Sequence, residues 1–343
     1  MRAVIVGDLH FGARGNSLKF LDFQTKWFKE ELLTFIKKNE IDTAIFLGDV
    51  FDSRNSISPV VNTQVRDLFK KLMKHVKSAH CILGNHDIFF RNKKNIHSLT
   101  VLEDQGVNIY ENPTEVKFGN LKCLMLPWIV KDEMADVQKL LAHNDYDICF
   151  GHLEINSFEK VKGVQEDDGF QCDLFANCKK VISGHFHLRR QHGNIIYVGT
   201  PYELTWNDYL DEKGLHVLDG NGDVEYTPSN NTPKHTIISN KQISIEKLTK
   251  ARISSNFIKV KFDKVISEVD KINYIEKINS LEPLFFMVDD DLAFDLESDE
   301  NIEADIKDTL GFLHEYVNLI EIPENIDRKL LMEKLEDIYN EVI

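Results

Sequence analysis

Five times within its first 187 residues the chain runs through a short β-prone stretch, meets a glycine, and turns straight into acids, amides or histidines. Ala3–Val6 leads into Gly7-Asp8-Leu9-His10, residues 43–47 into Gly48-Asp49, and residues 80–83 into Gly84-Asn85-His86-Asp87. Residues 148–150 lead into Gly151-His152, and residues 181–183 into Gly184-His185-Phe186-His187. Short apolar runs separated by helical periodicity suit a sheet buried on both faces. Polar groups just beyond the carboxyl ends of such strands share one edge of the sheet. The pattern predicts an α/β domain whose chemistry gathers at one rim.

Between the strands, Phe20, Phe23, Trp27, Phe28, Leu32, Phe35 and Ile36 recur at helical spacing and predict an amphipathic helix over 19–38. Pro59 opens a second helix to about residue 76, with Val61, Val65, Leu68, Phe69 and Leu72 on one face. Further strands are expected at 121–126, 195–198 and 215–218. Asp219-Gly220-Asn221-Gly222 reads as a hairpin near the end of this first domain, residues 1–230. Ser229 to Lys234 reads as a linker. In the following small α/β domain, 235–290, Ile258, Val260 and Phe262 alternate with Lys259 and Lys261, then come a helix over 269–281 and a strand at 284–288. An acidic linker, 289–300, carries seven acids in twelve residues. Residues 301–343 hold two helical stripes, Ile302 to Ile320 and Ile326 to Val342. These C-terminal helices either pack on their own domain or dock by their apolar faces on a partner, and their place after a charged linker favours docking.

A hydrophobic share of 42% argues for a folded chain. The N-terminus lacks a charged region followed by a long apolar one, and no window approaches eighteen apolar residues, so neither a secretory signal nor a membrane span is expected. The five cysteines are scattered with no Cys-x-x-Cys, and Cys81, Cys123 and Cys149 sit in strand-like runs. A reducing cytoplasm is the simple reading. The net charge of −15 weighs against strong unspecific nucleic-acid binding, although a local basic strip matters more than the total. Arg14, Lys19, Arg54, Arg91, Lys93, Lys94, Arg189 and Arg190 all fall within or just after the motif loops. They are either solvated surface or contacts to an anionic polymer through its phosphates.

A dinuclear metal centre explains the five motifs together. It needs one carboxylate shared between two cations, and Asp49 suits that role because it offers two oxygens. Imidazole nitrogens and an amide oxygen complete each shell. Spacings such as Asp8-x-His10 and His185-x-His187 put both side chains on one side of an extended backbone. Any one of these motifs alone is a common structural feature; five in order, each at a strand end, are not.

The motif set resembles the calcineurin-like metallophosphoesterases. The chain as a whole resembles their SbcD/Mre-type nuclease subunits, especially the T-even phage branch. The matching segments include Gly7 to Gly12, Gly48 to Asp52, Gly84 to Asp87, Leu126-Pro127-Trp128, Gly184 to His187 and Gly199-Thr200-Pro201-Tyr202. The resemblance implies a four-layer α/β/β/α metallophosphoesterase sandwich with a small α/β capping domain and C-terminal helices. It implies a first metal held by Asp8, His10, Asp49 and His187, and a second by Asp49, Asn85, His152 and His185. His86 stands over the scissile phosphate without ligating, and Asp87 orients His86 or a neighbour. Asp52 stands where some relatives carry a histidine at the phosphate, so cationic help there has to come from another residue such as Arg54. Arg14, Lys93 and Arg189 are further expected DNA contacts.

The implied activity is that of a DNA exo/endonuclease with two Mn²⁺, Mg²⁺ serving less well. Its implied setting is DNA-end processing in recombination, repair and replication, in the host cytoplasm if the chain is phage-encoded. The implied partners are DNA, an SMC-like ATPase (SbcC/Rad-type) bound by the C-terminal helices, and a second copy of the chain against residues 59–76. The alternative within the superfamily is a phosphatase or small-molecule phosphodiesterase. Protein phosphatases of that kind carry Asp-Arg-Gly after the second motif and Glu after Gly-Asn-His, whereas this chain has Asp52-Ser53-Arg54 and Asp87. A catalytically silent scaffold is disfavoured because every ligand position is filled.

Overall fold

The computed structural model describes residues 1–230 and 232–289, together with residues 328, 329, 332 and 334. Met1–Asp291 form one compact unit and Leu292–Ile343 a second, in which the four described residues are helical. The acidic linker beyond Asp289 and both C-terminal stripes otherwise lie outside the described residues.

In chain order the strands are β1 (Ala3–Val6), β2 (Thr43–Phe46), β3 (Ser78–Ile82), β4 (Ile88–Phe90), β5 (Lys93–His97), β6 (Asn108–Tyr110), β7 (Thr114–Phe118), β8 (Leu121–Leu126) and β9 (Tyr146–His152). They continue with β10 (Glu159–Val161), β11 (Val164–Gln165), β12 (Cys178–Gly184), β13 (Arg190–His192), β14 (Ile195–Tyr197), β15 (Gly214–Leu218) and β16 (Val224–Pro228). The last three are β17 (His235–Ser239), β18 (Phe257–Lys261) and β19 (Phe285–Asp289). One six-stranded sheet has the order β16-β15-β1-β2-β3-β6, the other β13-β14-β12-β9-β8-β7. In the first, β1, β2, β3 and β6 are parallel; in the second, β8, β9, β12 and β14 are parallel.

Alternation along the strands sorts the core into layers. Ala3, Ile5, Ile45 and Leu47 of one sheet pack against Cys123, Met125, Ile148 and Phe150 of the other. Val4, Val6, Ala44 and Phe46 point the other way, onto helical Phe28, Leu32, Leu68 and Phe69. Leu124, Leu126 and Val181 pack with Val137 and Leu141 of the helix Met134–His143. The result is the expected α/β/β/α sandwich, with the carboxyl ends of its central parallel strands supplying the motif loops.

The helix expected at 19–38 is a continuous rod with one irregularity. Leu18–Trp27 is α-helical, Phe28–Leu32 forms a π turn, and Leu33–Lys38 resumes the α-helix. The extra residue in the turn lets Phe20 and Trp27 meet Tyr202 while Phe28 reaches Phe11 and Phe69. The second helix, Pro59–Leu72, is capped by the Ser58 side chain and stops short of residue 76, because Lys74 and His75 make tighter i→i+3 bonds. The β4–β5 hairpin, which follows the third motif, has no counterpart among the strands that the sequence predicts.

Residues 235–289 form a three-stranded parallel sheet, β17-β18-β19, with the helix Glu268–Asn279 and a core cluster that includes Ile238, Ile258, Val260 and Ile278. Lys259 and Lys261 are half-buried on the central strand, as the alternation predicted. All five cysteines are free, and four are buried. No helix among the described residues is long and apolar enough to cross a membrane.

Candidate metal centre

The loops after β1, β2, β3, β9 and β12 bring two ligand groups together. Asp8, His10 and His187 make one; Asp49, His152 and His185 make the other, with donor atoms in each within 4.8 Å of one another. A single oxygen links them: Asp49 Oδ2 lies 3.7 Å from His10 Nε2 and 3.5 Å from His152 Nε2. Asn85 belongs to the second group, its Oδ1 standing 2.9 Å from His152 Nε2 and 3.0 Å from His185 Nδ1.

The tautomers show what this arrangement requires. His152 Nδ1 donates to the Leu47 carbonyl at 2.6 Å, and His185 Nε2 donates to Glu154 Oε1 at 3.1 Å. The opposite nitrogen of each ring, when it carries no proton, then aims a lone pair at Asn85 Oδ1, itself an acceptor. On the other side, His10 Nε2 and His187 Nε2 face each other at 3.1 Å. Converging lone pairs of this kind repel unless a cation or a proton sits among them. The nitrogen and oxygen donors, the buried carboxylates and the second hydrogen bond on the His152 and His185 rings fit two divalent cations.

The charges agree. Burial opposes a proton on His10, but Asp52, Asp49 and Asp8 outweigh it and raise its pKa to about 9. Burial likewise opposes a proton on His152, where Asp49 and Asp8 raise the value to about 9. Burial and the neighbouring His10 push His187 down to about 3. Asp49, despite its burial, is held well below the usual carboxylate range, chiefly by His152. Without metal, the pocket takes its positive charge as protons.

Backbone geometry is bent to this purpose. His10, Asp49 and His185 have φ of 46°, 49° and 85°, in the region that L-residues rarely occupy. Glycine is obligatory at position 84, where a Cβ would stand 2.1 Å from Asp49 Oδ1. Gln24 Nε2 donates to the carbonyls of Leu9 and His10 and to the Tyr202 hydroxyl, which itself donates to Leu9 O at 2.5 Å. That contact gives the Gly199–Tyr202 segment its job: it pins the first ligand loop.

His86 is half-buried beside the ligands, its ring centroid 5.0 Å from that of His10. Its Nδ1 donates to the Asp52 carbonyl at 2.6 Å, leaving Nε2 free. The Asp52 carboxylate turns to His10 instead, with Oδ1 3.3 Å from Nδ1. Asp87 does not touch the His86 ring. Its two oxygens accept the amides of Asp49, Val50, Phe51 and Gly84 at 2.8–3.4 Å, tying the second and third ligand loops together. Of the two roles expected for Asp87, holding a neighbour is the one its contacts serve. Burial and the nearby Asp49 raise its pKa to about 7.

Residues 1–189 match the calcineurin-like phosphoesterase family, more than half of the chain. The chain belongs to that family. This calcineurin-like phosphoesterase is 27% identical to exonuclease subunit 1 of Enterobacteria phage T4 over 344 residues, covering 99% of each chain. It is 23% identical over 326 residues to the DNA double-strand break repair protein Mre11 of Nanoarchaeum equitans (strain Kin4-M), covering 82% of this chain and 88% of that one.

The basic residues of the phosphoesterase sort differently from their sequence positions. Arg14 is not free to meet a phosphate: its guanidinium lies 4.1 Å over the Phe257 ring and bonds the Leu204 carbonyl and His235 Nε2. It joins the first ligand loop to the small three-stranded sheet. Arg189 stacks on Tyr226 and pairs with Glu212. Lys94 is buried against Glu133 at 2.6 Å. Lys93 is exposed on the β4–β5 hairpin. Arg54 is half-buried in the loop after the second motif: burial and Arg91 lower its pKa, and Asp49 partly offsets them.

Four supports lie outside the residues that the motifs single out. Glu154 was legible, since alternation along Gly151-His152-Leu153-Glu154 puts it on the same side as His152. The Leu47 and Asp52 carbonyls were not, because main-chain atoms carry no residue signature. Nor was Lys213, fully buried between Asp208 (2.7 Å) and Asp211 (3.2 Å), whose ammonium also donates to the His187 carbonyl at 2.6 Å.

Proposed function

We propose that the chain is the nuclease subunit of a DNA-end-processing complex, hydrolysing DNA phosphodiesters with two Mn²⁺. The observation that carries this reading is the double ligand group sharing Asp49 Oδ2, in a chain that aligns end to end with a phage exonuclease subunit. Asp8, His10, Asp49 and His187 hold one cation; Asp49, Asn85, His152 and His185 hold the other. Bound there, the pair lowers the pKa of water towards neutrality and neutralises charge on the phosphate oxygens. His86 offers Nε2 to the phosphate or the leaving oxygen, since its Nδ1 is occupied by Asp52. Asp87 acts through the loops as a positioning residue, and Arg54 supplies the cationic contact that Asp52 cannot.

The same reading gives the chain an SMC-like ATPase as partner, bound through residues 301–343. It pairs a second copy against the helix Pro59–Leu72, places the work in the cytoplasm of a phage host, and gives 1–230 and 235–290 separate nuclease and capping duties. The test is DNA cleavage with Mn²⁺, Mg²⁺ or chelator, on blunt, hairpin and single-stranded substrates, with and without the ATPase. Mn²⁺-dependent cleavage abolished by chelator is expected. Hydrolysis of a small chromogenic phosphodiester with no cleavage of any DNA would sink the nuclease reading. Loss of residues 301–343 should abolish ATPase co-purification and leave cleavage of simple substrates intact; undiminished co-purification would refute the docking role.

A further inference from the structure

Beside the second ligand group lies a cavity of about 840 Å³ that none of the roles given above uses. It lies between the Trp128 loop and the segment 168–177, and His152 and Glu154 form part of its wall, so it adjoins the candidate metal centre. Its volume falls within the range of sites that bury a small organic molecule, about 300–1,000 Å³. Trp128, Leu153, Phe170 and Leu174 give it broad apolar walls. The Trp128 ring stands 5.2 Å from the His185 ring, so an aromatic surface runs from a ligand into the cavity.

The charge of the lining selects the occupant. Its ionisable groups apart from His152 are the carboxylates of Glu154, Asp168 and Asp173; no lysine or arginine contributes. A phosphate is repelled from such a place. A neutral heteroaromatic ring is not: it stacks on Trp128 and Phe170 and hydrogen-bonds through its edge to the carboxylates and to Gln138 or Gln171. The polyanion thus stays at the cations while one of its bases enters the cavity.

We infer that this cavity is a base-binding subsite, receiving the unstacked terminal nucleobase next to the scissile phosphate. The inference rests on the nuclease reading and adds to it a preference for frayed ends: a duplex terminus reaches the centre by giving up its last stacked base.

The test compares, with the full chain and Mn²⁺, oligonucleotide ends that carry a terminal base with ends carrying an abasic analogue. Wild type should cleave the base-bearing end about ten-fold faster, in line with the stacking of one base. Gln138→Trp, which plugs the exposed mouth, and Phe170→Ala, which removes a wall, should bring that preference towards one without slowing the abasic end. A terminal 2-aminopurine should change fluorescence on binding to wild type, and not to Gln138→Trp. Equal wild-type rates on both ends, or a preference that survives both variants, would overturn the subsite and leave the nuclease reading standing. Failure to cleave either end, with a small phosphodiester still hydrolysed, removes both.

Discussion

His86 is held by the main chain of Asp52 and not by its carboxylate: Nδ1 donates to the carbonyl oxygen at 2.6 Å, while Asp52 Oδ1 stands 3.3 Å from His10 Nδ1. The two functions of Asp52 can therefore be separated by mutation. His86→Ser should keep both cations and lose at least 100-fold in turnover, the scale of one proton donor. Asp52→Asn should leave His86 in place and weaken cation binding by about 10–100-fold, the usual effect of removing a partner behind a ligand. Calorimetric Mn²⁺ titration beside a cleavage assay distinguishes them. A His86→Ser protein that binds no metal would contradict the assignment.

Asp49→Asn should lose metal and turnover together, because one oxygen serves both groups. Gly84→Ala should reproduce that loss with every ligand intact, since the new Cβ would fall 2.1 Å from Asp49 Oδ1 and 2.4 Å from its amide nitrogen. Gly193→Ala is the control: its Cβ meets nothing within 4 Å, and only its φ of +57° opposes the change, at about 1 kcal/mol. Normal Mn²⁺ binding by Gly84→Ala would show that the second and third loops are less tightly coupled than their contacts require.

The pH dependence follows from His10 and His152. Both have folded-state values raised to about 9 from an ordinary 6.5. In metal-free protein their protons contribute stability that is complete below about pH 6.5 and lost as pH rises through 9. Cations compete for the same nitrogens, so Mn²⁺ affinity should climb across that window with release of protons. Thermal unfolding of metal-free protein and calorimetry in two buffers of different ionisation enthalpy check both signs. An affinity flat from pH 6.5 to 9 would refute the account.

Lys213→Met should destabilise the fold by about 3–5 kcal/mol, because it strands the buried Asp208 without a counter-charge, while Asp211 keeps its pair with Arg190. Turnover should fall as well, since the His187 carbonyl loses its donor. Urea unfolding gives the first quantity directly, and a change below 1 kcal/mol would mean that the pair is not sealed from water.

The strand-end motifs were legible because strand alternation and the glycine turn are local, and locality is what a single sequence records. Asp8, His10, Asp49, Asn85, His152, His185 and His187 converge because parallel strands deliver their loops to one rim. The surroundings of Arg14 and Arg189 were not legible, for the complementary reason. Each lies next to a motif in sequence, but Phe257 and Tyr226, more than thirty residues away, decide where their guanidinium groups go. Lys93 and Lys94, adjacent in sequence and open to the same two readings there, part company because hairpin pairing turns Lys94 inward to Glu133. The π turn at Phe28–Leu32 also had no local signature: the apolar periodicity over 19–38 accommodates the extra residue without a break.

The left-handed backbone at His10, Asp49 and His185 has an evolutionary consequence. Each such position costs on the order of 1–3 kcal/mol that a glycine or asparagine would largely recover. Selection for hydrolysis keeps these three residues in place against a standing pressure for thermal robustness. A lineage that kept only the scaffold would be expected to lose them early and to gain melting temperature as it did so. Inactive descendants of this fold should be recognisable by relaxed turns at these three positions before any ligand further from a strained bend has changed.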